Sequence, residues 1–213
     1  MEKLFIEARF KGKIKINKKD IEQLPKKLGL ATTVQFLDNI KDIKEQLKDK
    51  IVITDKDKQA YEGQILGCDA TAGEKINDKV DAFLYVGDGH FHPIALGLLG
   101  KPVYLLSPYT GKIEKLDETI IQNYQKRKKG AMLKFLNGKN IGILVSTKSG
   151  QHYPIKQLNF LEKKYPKKHF YIFVADMIDI NQFNNFSFID AWINTACPRL
   201  EEDHILLNIK ELK

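Results

Sequence analysis

Two cysteines, Cys68 and Cys197, stand in the parts of this sequence most capable of chemistry. Cys68 lies in Gly63-Gln64-Ile65-Leu66-Gly67-Cys68-Asp69-Ala70-Thr71, a glycine-bearing loop ahead of a helix predicted to run through Lys75. Thiols at helix N-termini have depressed pKa values and bind soft metals as thiolates. Cys197 precedes a proline in Thr195-Ala196-Cys197-Pro198-Arg199-Leu200, where the ring ends a strand and Arg199 adds positive charge. Cys-Pro pairs also occur in some iron–sulfur ligand runs. Taken alone, a free cysteine is more often a buried small hydrophobe than a ligand. Neither cysteine has a CxxC partner or a histidine at finger spacing, which argues against zinc.

Gly87-Asp88-Gly89-His90-Phe91-His92-Pro93 is the second such stretch. On an extended strand His90 and His92 would share a face, as a two-histidine metal site requires. No further ligand type stands at suitable spacing, and the glycines fit close backbone approach to a ligand better. Ser146-Thr147-Lys148-Ser149-Gly150-Gln151 lacks the glycine spacing and Gly-Lys-Ser order of a Walker motif, so ATP binding is not expected.

These stretches fall at matching places in a pattern that runs twice. Lys27 to Gln35 and Lys139 to Gln151 are each an apolar run closing on small hydroxyl residues and a glutamine. A helical pattern follows each, over 36–48 and 155–164, with apolar residues at Leu37, Ile40, Ile43 and Leu47, and at Ile155, Leu158 and Leu161. A second strand comes next, at 50–53 or 169–174, and then a recurring phrase: Val80-Asp81-Ala82-Phe83-Leu84-Tyr85-Val86-Gly87 against Ile189-Asp190-Ala191-Trp192-Ile193-Asn194-Thr195-Ala196. Strands alternating with helices predict an α/β protein: two consecutive parallel-sheet, three-layer domains related by a pseudo-repeat, in which Gly29 matches Gly142 and Asp81 matches Asp190. The expected domains are 1–116, holding Cys68, and 117–213, holding Cys197, with a connecting helix over 117–135. Ligands of such sheets bind at the carboxyl ends of the strands, where Thr32, Thr33, Gln35 and the stretches above fall.

Composition narrows the class. Of 213 residues 43% are hydrophobic, enough to build cores and to exclude disordered or low-complexity classes. No apolar run approaches the roughly 20 residues that span a bilayer, and the N-terminus does not read as a secretory signal, so a cytoplasmic protein with no membrane partner is expected. The net charge of +8 comes from lysines spread along the chain, with one dense run at Lys126-Arg127-Lys128-Lys129. No aromatics interleave with that run as on stacking platforms, so it reads as a solvated face rather than a nucleic-acid site.

Taken together, Gly63 to Cys68, Asp81 to Pro93, Ser146 to Gln151 and Asn194 to Leu200 resemble, in order, the motifs of the diphthamide synthesis family, the 2-(3-amino-3-carboxypropyl)histidine synthases. The resemblance implies similar α/β domains around a central 4Fe-4S cluster, each domain supplying one cysteine. It carries the second and third cluster ligands onto Cys68 and Cys197; the first domain, with its cysteine, has no counterpart here. Leu4 to Phe10 is similar to the segment leading into the family's second domain.

The resemblance further implies a non-classical radical S-adenosylmethionine reaction, with translation elongation factor 2 as substrate. It also implies a separately encoded first domain or second subunit, hence a dimer. Gly87, Asp88, Gly89, His90, Ser146, Thr147, Lys148, Gly150, Gln151 and Arg199 are the candidate cofactor-binding residues, since polar donors at strand ends suit a carboxylate and an amine. With one ligand missing, a non-catalytic scaffold or electron-relay subunit of that enzyme is the alternative.

Overall fold

The fold was analysed in a computed structural model that describes Leu4, residues 6–201 and residues 206–212, without the side chains of Arg199 and Glu201. Packing divides the chain into two units, Met1–Ile121 and Gln122–Lys213. Each is built on its own sheet.

In the first unit a short helix α1 (Lys18–Ile21) leads into strand β1 (Lys27–Thr32), helix α2 (Ile40–Gln46) and strand β2 (Ile51–Ile53). Helix α3 (Thr71–Glu74), strand β3 (Ala82–Val86), helix α4 (Phe91–Gly97) and strands β4 (Val103–Leu106) and β5 (Ile113–Lys115) follow. The sheet order is β2-β1-β3-β4-β5, parallel except for β5. Alternation along the strands gives it two faces. Leu28, Leu30, Ala82, Leu84 and Val86 pack with Phe36, Ile43 and Leu47 on one side, under an N-terminal segment that buries Ile14 and Ile16. Ala31, Phe83 and Tyr85 pack on the other with Ile65, Ala72, Ile76 and Leu96.

Helix α5 (Glu118–Asn137) carries the chain across the division between the units. The second unit then runs through strand β6 (Asn140–Ser146), helix α6 (Asn159–Lys164), and strands β7 (His169–Ala175), β8 (Ala191–Asn194) and β9 (Leu207–Asn208). Its order, β7-β6-β8-β9, is all parallel and repeats the β2-β1-β3-β4 order of the first sheet. Ile141, Ile143, Val145, Ala191 and Ile193 bury against Ala131, Phe135, Leu158 and Leu161. Lys168 ties this packing to the end of α5, donating to the carbonyls of Phe135, Leu136 and Gly138 at 2.6, 3.0 and 2.5 Å. A cation there satisfies carbonyls that the helix leaves open and suits its negative end; the desolvation it suffers pulls its pKa below the ordinary lysine value.

The two sheets match residue for residue at their centres. Gly29 lies beside Phe83 and Gly142 beside Trp192, in both cases across the first and third strands of the unit. A Cβ on Gly29 would stand 2.6 Å from the Phe83 ring, and one on Gly142 would overlap the Trp192 indole. Each aromatic ring thus occupies space that only glycine leaves. Asp81 accepts from the Lys27 amide at 3.2 Å, and Asp190 from the Lys139 and Asn140 amides, both at 2.8 Å. The helical stretches predicted at 36–48 and 155–164 begin instead as short 3₁₀ helices, Val34–Asn39 and Ile155–Leu158, before α2 and α6.

Gly142→Ala is expected to lower stability by about 1–3 kcal/mol, the usual cost of overpacking, read as a lower urea midpoint with an unchanged slope. Asp190 generates a prediction in pH. Its amide hydrogen bonds hold its pKa below the ordinary carboxylate value. The stability it adds is therefore complete above the unfolded carboxylate pKa, about 3.9, and is lost as pH falls through the lower folded value. Urea midpoints of the wild type and Asp190→Asn should differ at pH 6 and converge at the acid end (pH ~2–3); a constant difference would refute the assignment.

Candidate functional site

Cys68 sits at the tip of a tight turn. Leu66 and Asp69 exchange backbone hydrogen bonds at 2.9 and 3.1 Å across Gly67-Cys68, leaving Cys68 exposed. A Cβ on Gly67 would enter the Phe91 ring, so glycine is what lets the turn lie on that aromatic. Asp69 anchors the turn: its carboxylate accepts from the Thr71 amide and hydroxyl at 3.1 and 2.7 Å and from Gln59 at 2.7 Å. Desolvation opposes these bonds, but they hold the Asp69 pKa below its ordinary value. The predicted helix through Lys75 shortens to the single turn of α3.

The loop from Gly87 to His90 follows β3. Gly87 is buried, where a Cβ would stand 2.5 Å from the Tyr85 hydroxyl, and Gly89 has φ +70°, a left-handed value that glycine adopts freely. Asp88 closes on the Gly89 amide at 2.8 Å, and Asp88, Gly89 and His90 are exposed. His90 and His92 do not share an extended strand. His90 caps α4 and His92 lies in its first turn, where residues two apart point in different directions. The His92 ring stacks on Tyr85 with centroids 6.1 Å apart. Burial, with Asp88 adding to it, raises the Tyr85 pKa well above the ordinary phenol value. Thr32 is also structural: it is fully buried and donates to the Val86 carbonyl at 2.6 Å.

In the second unit the predicted residues converge. A pocket of about 360 Å³ at the carboxyl end of the sheet is lined by Ser146, Lys148, Gln151, Asp176, Met177 and Cys197, among others. Ser146 is buried and accepts from the Lys148 amide at 3.1 Å, which shapes the loop after β6. Gly150, at φ +81°, turns it back, and Thr147 donates to Asp176 at 3.3 Å. The Arg199 side chain lies outside the described residues.

Asn194 holds the Cys197 loop and was not foreseen. It is buried at the end of β8, donates to the Cys197 carbonyl at 2.9 Å and to Asn208 at 3.1 Å, and accepts from the Ala196 amide at 2.9 Å. Its one sign in the sequence is an amide side chain closing an apolar strand. Neither cysteine forms a disulfide. Among the described residues no group of three or more His, Cys, Asp or Glu is placed to hold a metal ion.

The sequence profile described as "Putative diphthamide synthesis protein" matches residues 3–206. The chain belongs to the diphthamide synthesis family. It is 31% identical to 2-(3-amino-3-carboxypropyl)histidine synthase subunit 1 of Schizosaccharomyces pombe, over 83% of this chain and 42% of that protein. To the 2-(3-amino-3-carboxypropyl)histidine synthase of Pyrococcus horikoshii it is 27% identical, over 89% of this chain and 55% of the relative. The crystal structure of Dph2 from that archaeon with a 4Fe-4S cluster superposes with a TM-score of 0.75 at 26% identity, covering 91% of this chain and 58% of the other. The chain thus spans about half the length of the curated relatives it matches. No helix among its described residues is long and apolar enough to cross a membrane.

The exposure difference predicts the order of alkylation. Iodoacetamide should label Cys68 before Cys197 in the native chain, as followed by peptide mass spectrometry. Asn194→Ala should narrow the gap by releasing the Cys197 loop; equal rates in the wild type would contradict the placement.

Proposed function

We propose that this chain supplies the second and third domains of a 2-(3-amino-3-carboxypropyl)histidine synthase, the enzyme of the first step of diphthamide biosynthesis. On this reading the domains are residues 1–116 and 117–213, copies of one ancestral unit, and Cys68 and Cys197 are two protein ligands of a 4Fe-4S cluster. The observation that carries the reading is the convergence of Cys197 with Ser146, Lys148 and Gln151 in one pocket at the carboxyl end of a parallel sheet. The donor chemistry fits the group. Both thiols stand on loops at or near the surface, and thiolates are the usual ligands of iron–sulfur clusters.

When bound, the cluster supplies the electron that breaks the bond between the sulfur and the γ-carbon of S-adenosylmethionine, whose 3-amino-3-carboxypropyl group is added to a histidine of translation elongation factor 2. The protein's task is to hold and aim. Lys148 offers its ammonium to the carboxylate of the cofactor, with Gln151 beside it as a neutral donor. Asp176, on the same wall, is the partner for the amine or the sulfonium charge. Gly87, Asp88, Gly89 and His90, exposed or turning after β3, are the candidates of the first unit for contact with the cofactor.

On this reading the third ligand comes from outside these residues, and we propose a first domain or second subunit as its source; the Schizosaccharomyces pombe relative is named as subunit 1 of a synthase. The same observation supports the second reading, a non-catalytic scaffold or electron-relay subunit. Anaerobic reconstitution with iron and sulfide tests both. The chain alone is expected to bind a cluster poorly and to transfer nothing. Adding a separately encoded first domain should restore cluster absorbance and a mass increase on elongation factor 2, and Cys68→Ser or Cys197→Ser should abolish both. A cluster without transfer in the presence of that partner would favour the scaffold.

A further inference from the structure

Helix α5 is only partly used by the packing of its own unit. Along its inner side Ala131 and Phe135 are buried, and Met132 packs against the same cluster. Its outer side is different. Lys126, Lys129, Leu133 and Leu136 recur at alternating steps of three and four residues, which places them on one stripe, and all four are exposed, Leu133 to 59% and Leu136 to 54%. At Leu133 the surface sinks into a depression of about 650 Å³, lined also by Lys134, Asn137, Lys139, Asn140 and Asp190. Two lysines stand there against one carboxylate, which is itself bonded to the amides of Lys139 and Asn140.

The chain itself shows what α5 accepts. On the flank of the helix the turn Ile209–Leu212 brings Ile209 and Leu212 into the cluster of Ala131 and Phe135, while Glu211 pairs with Lys128 at 2.8 Å. Apolar anchors beside a carboxylate set on a lysine are thus the pattern by which this helix is covered. Lys129, Leu133 and Leu136 offer the same chemistries one step around it, and among the described residues Lys126, Lys129 and Lys134 form no ion pair. Gly130 lies between them. A Cβ there would meet nothing within 4 Å, so no neighbour in the chain requires glycine, although glycine is a poor helix former. It leaves room for a second backbone to come close. A second copy of the chain does not suit the stripe: in parallel it would set Lys126 and Lys129 against their own counterparts, and antiparallel, crossing at Gly130, it would set Lys126 against Lys134.

We propose that the outer face of α5 is a docking site for an acidic amphipathic helix of another polypeptide, with an apolar side chain set against Leu133 in the depression and carboxylates along Lys126, Lys129 and Lys134. From Lys126 to Leu136 the stripe runs about 15 Å at the helical rise, enough for a helix of about three turns. The depression lies at the amino end of the second sheet, where Asn140 begins β6 and Asp190 precedes β8, and the Cys197 pocket lies at the carboxyl end, so both can be occupied together. Docking on α5 does not depend on what the Cys197 pocket binds.

The probe is a fluorescein-labelled synthetic helix with leucines at alternating third and fourth positions and glutamates between them, titrated against the full chain by fluorescence anisotropy. A counterpart with alanines for the leucines carries the same charge. Saturable binding is expected for the first, weakened about tenfold in the counterpart, in Leu133→Gln and in the double variant Lys126→Gln with Lys129→Gln, as for loss of a central anchor or of its charged partners. Gly130→Ala should raise the urea midpoint of the chain and yet weaken the probe, a combination that a merely solvated helix would not give. Replacing Lys11, Lys13 and Lys15 by glutamine, which removes three exposed lysines from the first unit, should leave binding unchanged. If the alanine counterpart binds as well as the probe, or the Lys11 set costs as much as the Lys126 pair, the chain attracts polyanions at large and the docking site is overturned. Tighter binding of a single-stranded RNA or of phosphatidylserine vesicles that the Lys126 pair abolishes, or a dimer in light scattering that Leu133→Gln dissociates, overturns it in favour of that occupant. No binding of the probe overturns it outright.

Discussion

The register of the first and third strands is the constraint on which the rest of each unit depends. At the start of a parallel sheet the first amides of the inner strand have no ladder partner, and each backbone donor needs an acceptor from elsewhere. Asp81 and Asp190 meet that need from the head of the third strand, bonding Lys27 in one unit and Lys139 with Asn140 in the other. Because side chains alternate, a slip of one residue would send every core group to the wrong face. The carboxylate at one end and the glycine opposite an aromatic ring two residues further on leave a single register for β1 with β3 and for β6 with β8. The loops at the carboxyl ends, with all the residues that bear chemistry, inherit their positions from it.

From this shared start the units diverge by what covers the second face. Branched aliphatics and alanines fill space without gaps, and those of the first unit close its face. Large planar rings meeting at edges and tilts pack less completely, and the ring cluster of the second unit leaves room beside the sheet. One unit therefore presents a firm wall under the Gly87–His90 loop, while the other has depth under Cys197. Equal topology does not give equal capacity to bind; the chemistry of one covering segment decides it.

Much of this was legible in the residues and some was not. The strands β1, β3, β6 and β8 declared themselves as short, continuous apolar runs, as parallel strands covered on both sides must; β7 read the same way although it is an edge strand with half-exposed side chains. Strands β4, β5 and β9 gave no comparable signal, being short, and β5 is an antiparallel edge with two exposed charges. The 3₁₀ starts before α2 and α6 escaped notice because apolar spacing there is the same as for a continuous helix; Asn39, buried at the junction and donating to the Gly12 carbonyl at 2.8 Å, marks the change. His90 and His92 do not share a face because helix α4 begins between them, which leaves the preferred reading of close approach at the glycines untouched. Ser146, Lys148, Gln151 and Cys197 could be named in advance, but Asp176 and Met177 could not, since they reach the pocket by following a neighbouring strand and not by any local motif.

The two cysteines are held in opposite ways, and the difference bears on what each can ligate. Cys68 rides on a turn whose backbone is closed on itself and pressed to Phe91, so its thiol is presented outward with little freedom in the loop beneath. Cys197 is gripped through its carbonyl by Asn194 and followed by a ring that fixes the next φ, so its backbone is equally constrained while its side chain faces a pocket with a lysine in it. Rigid backbone on both sides means that little ordering entropy remains to be lost when a thiolate takes up a ligand. The loop that carries Cys197 therefore combines a fixed backbone with a place on the pocket wall, whereas the Cys68 turn holds its residue out to solvent.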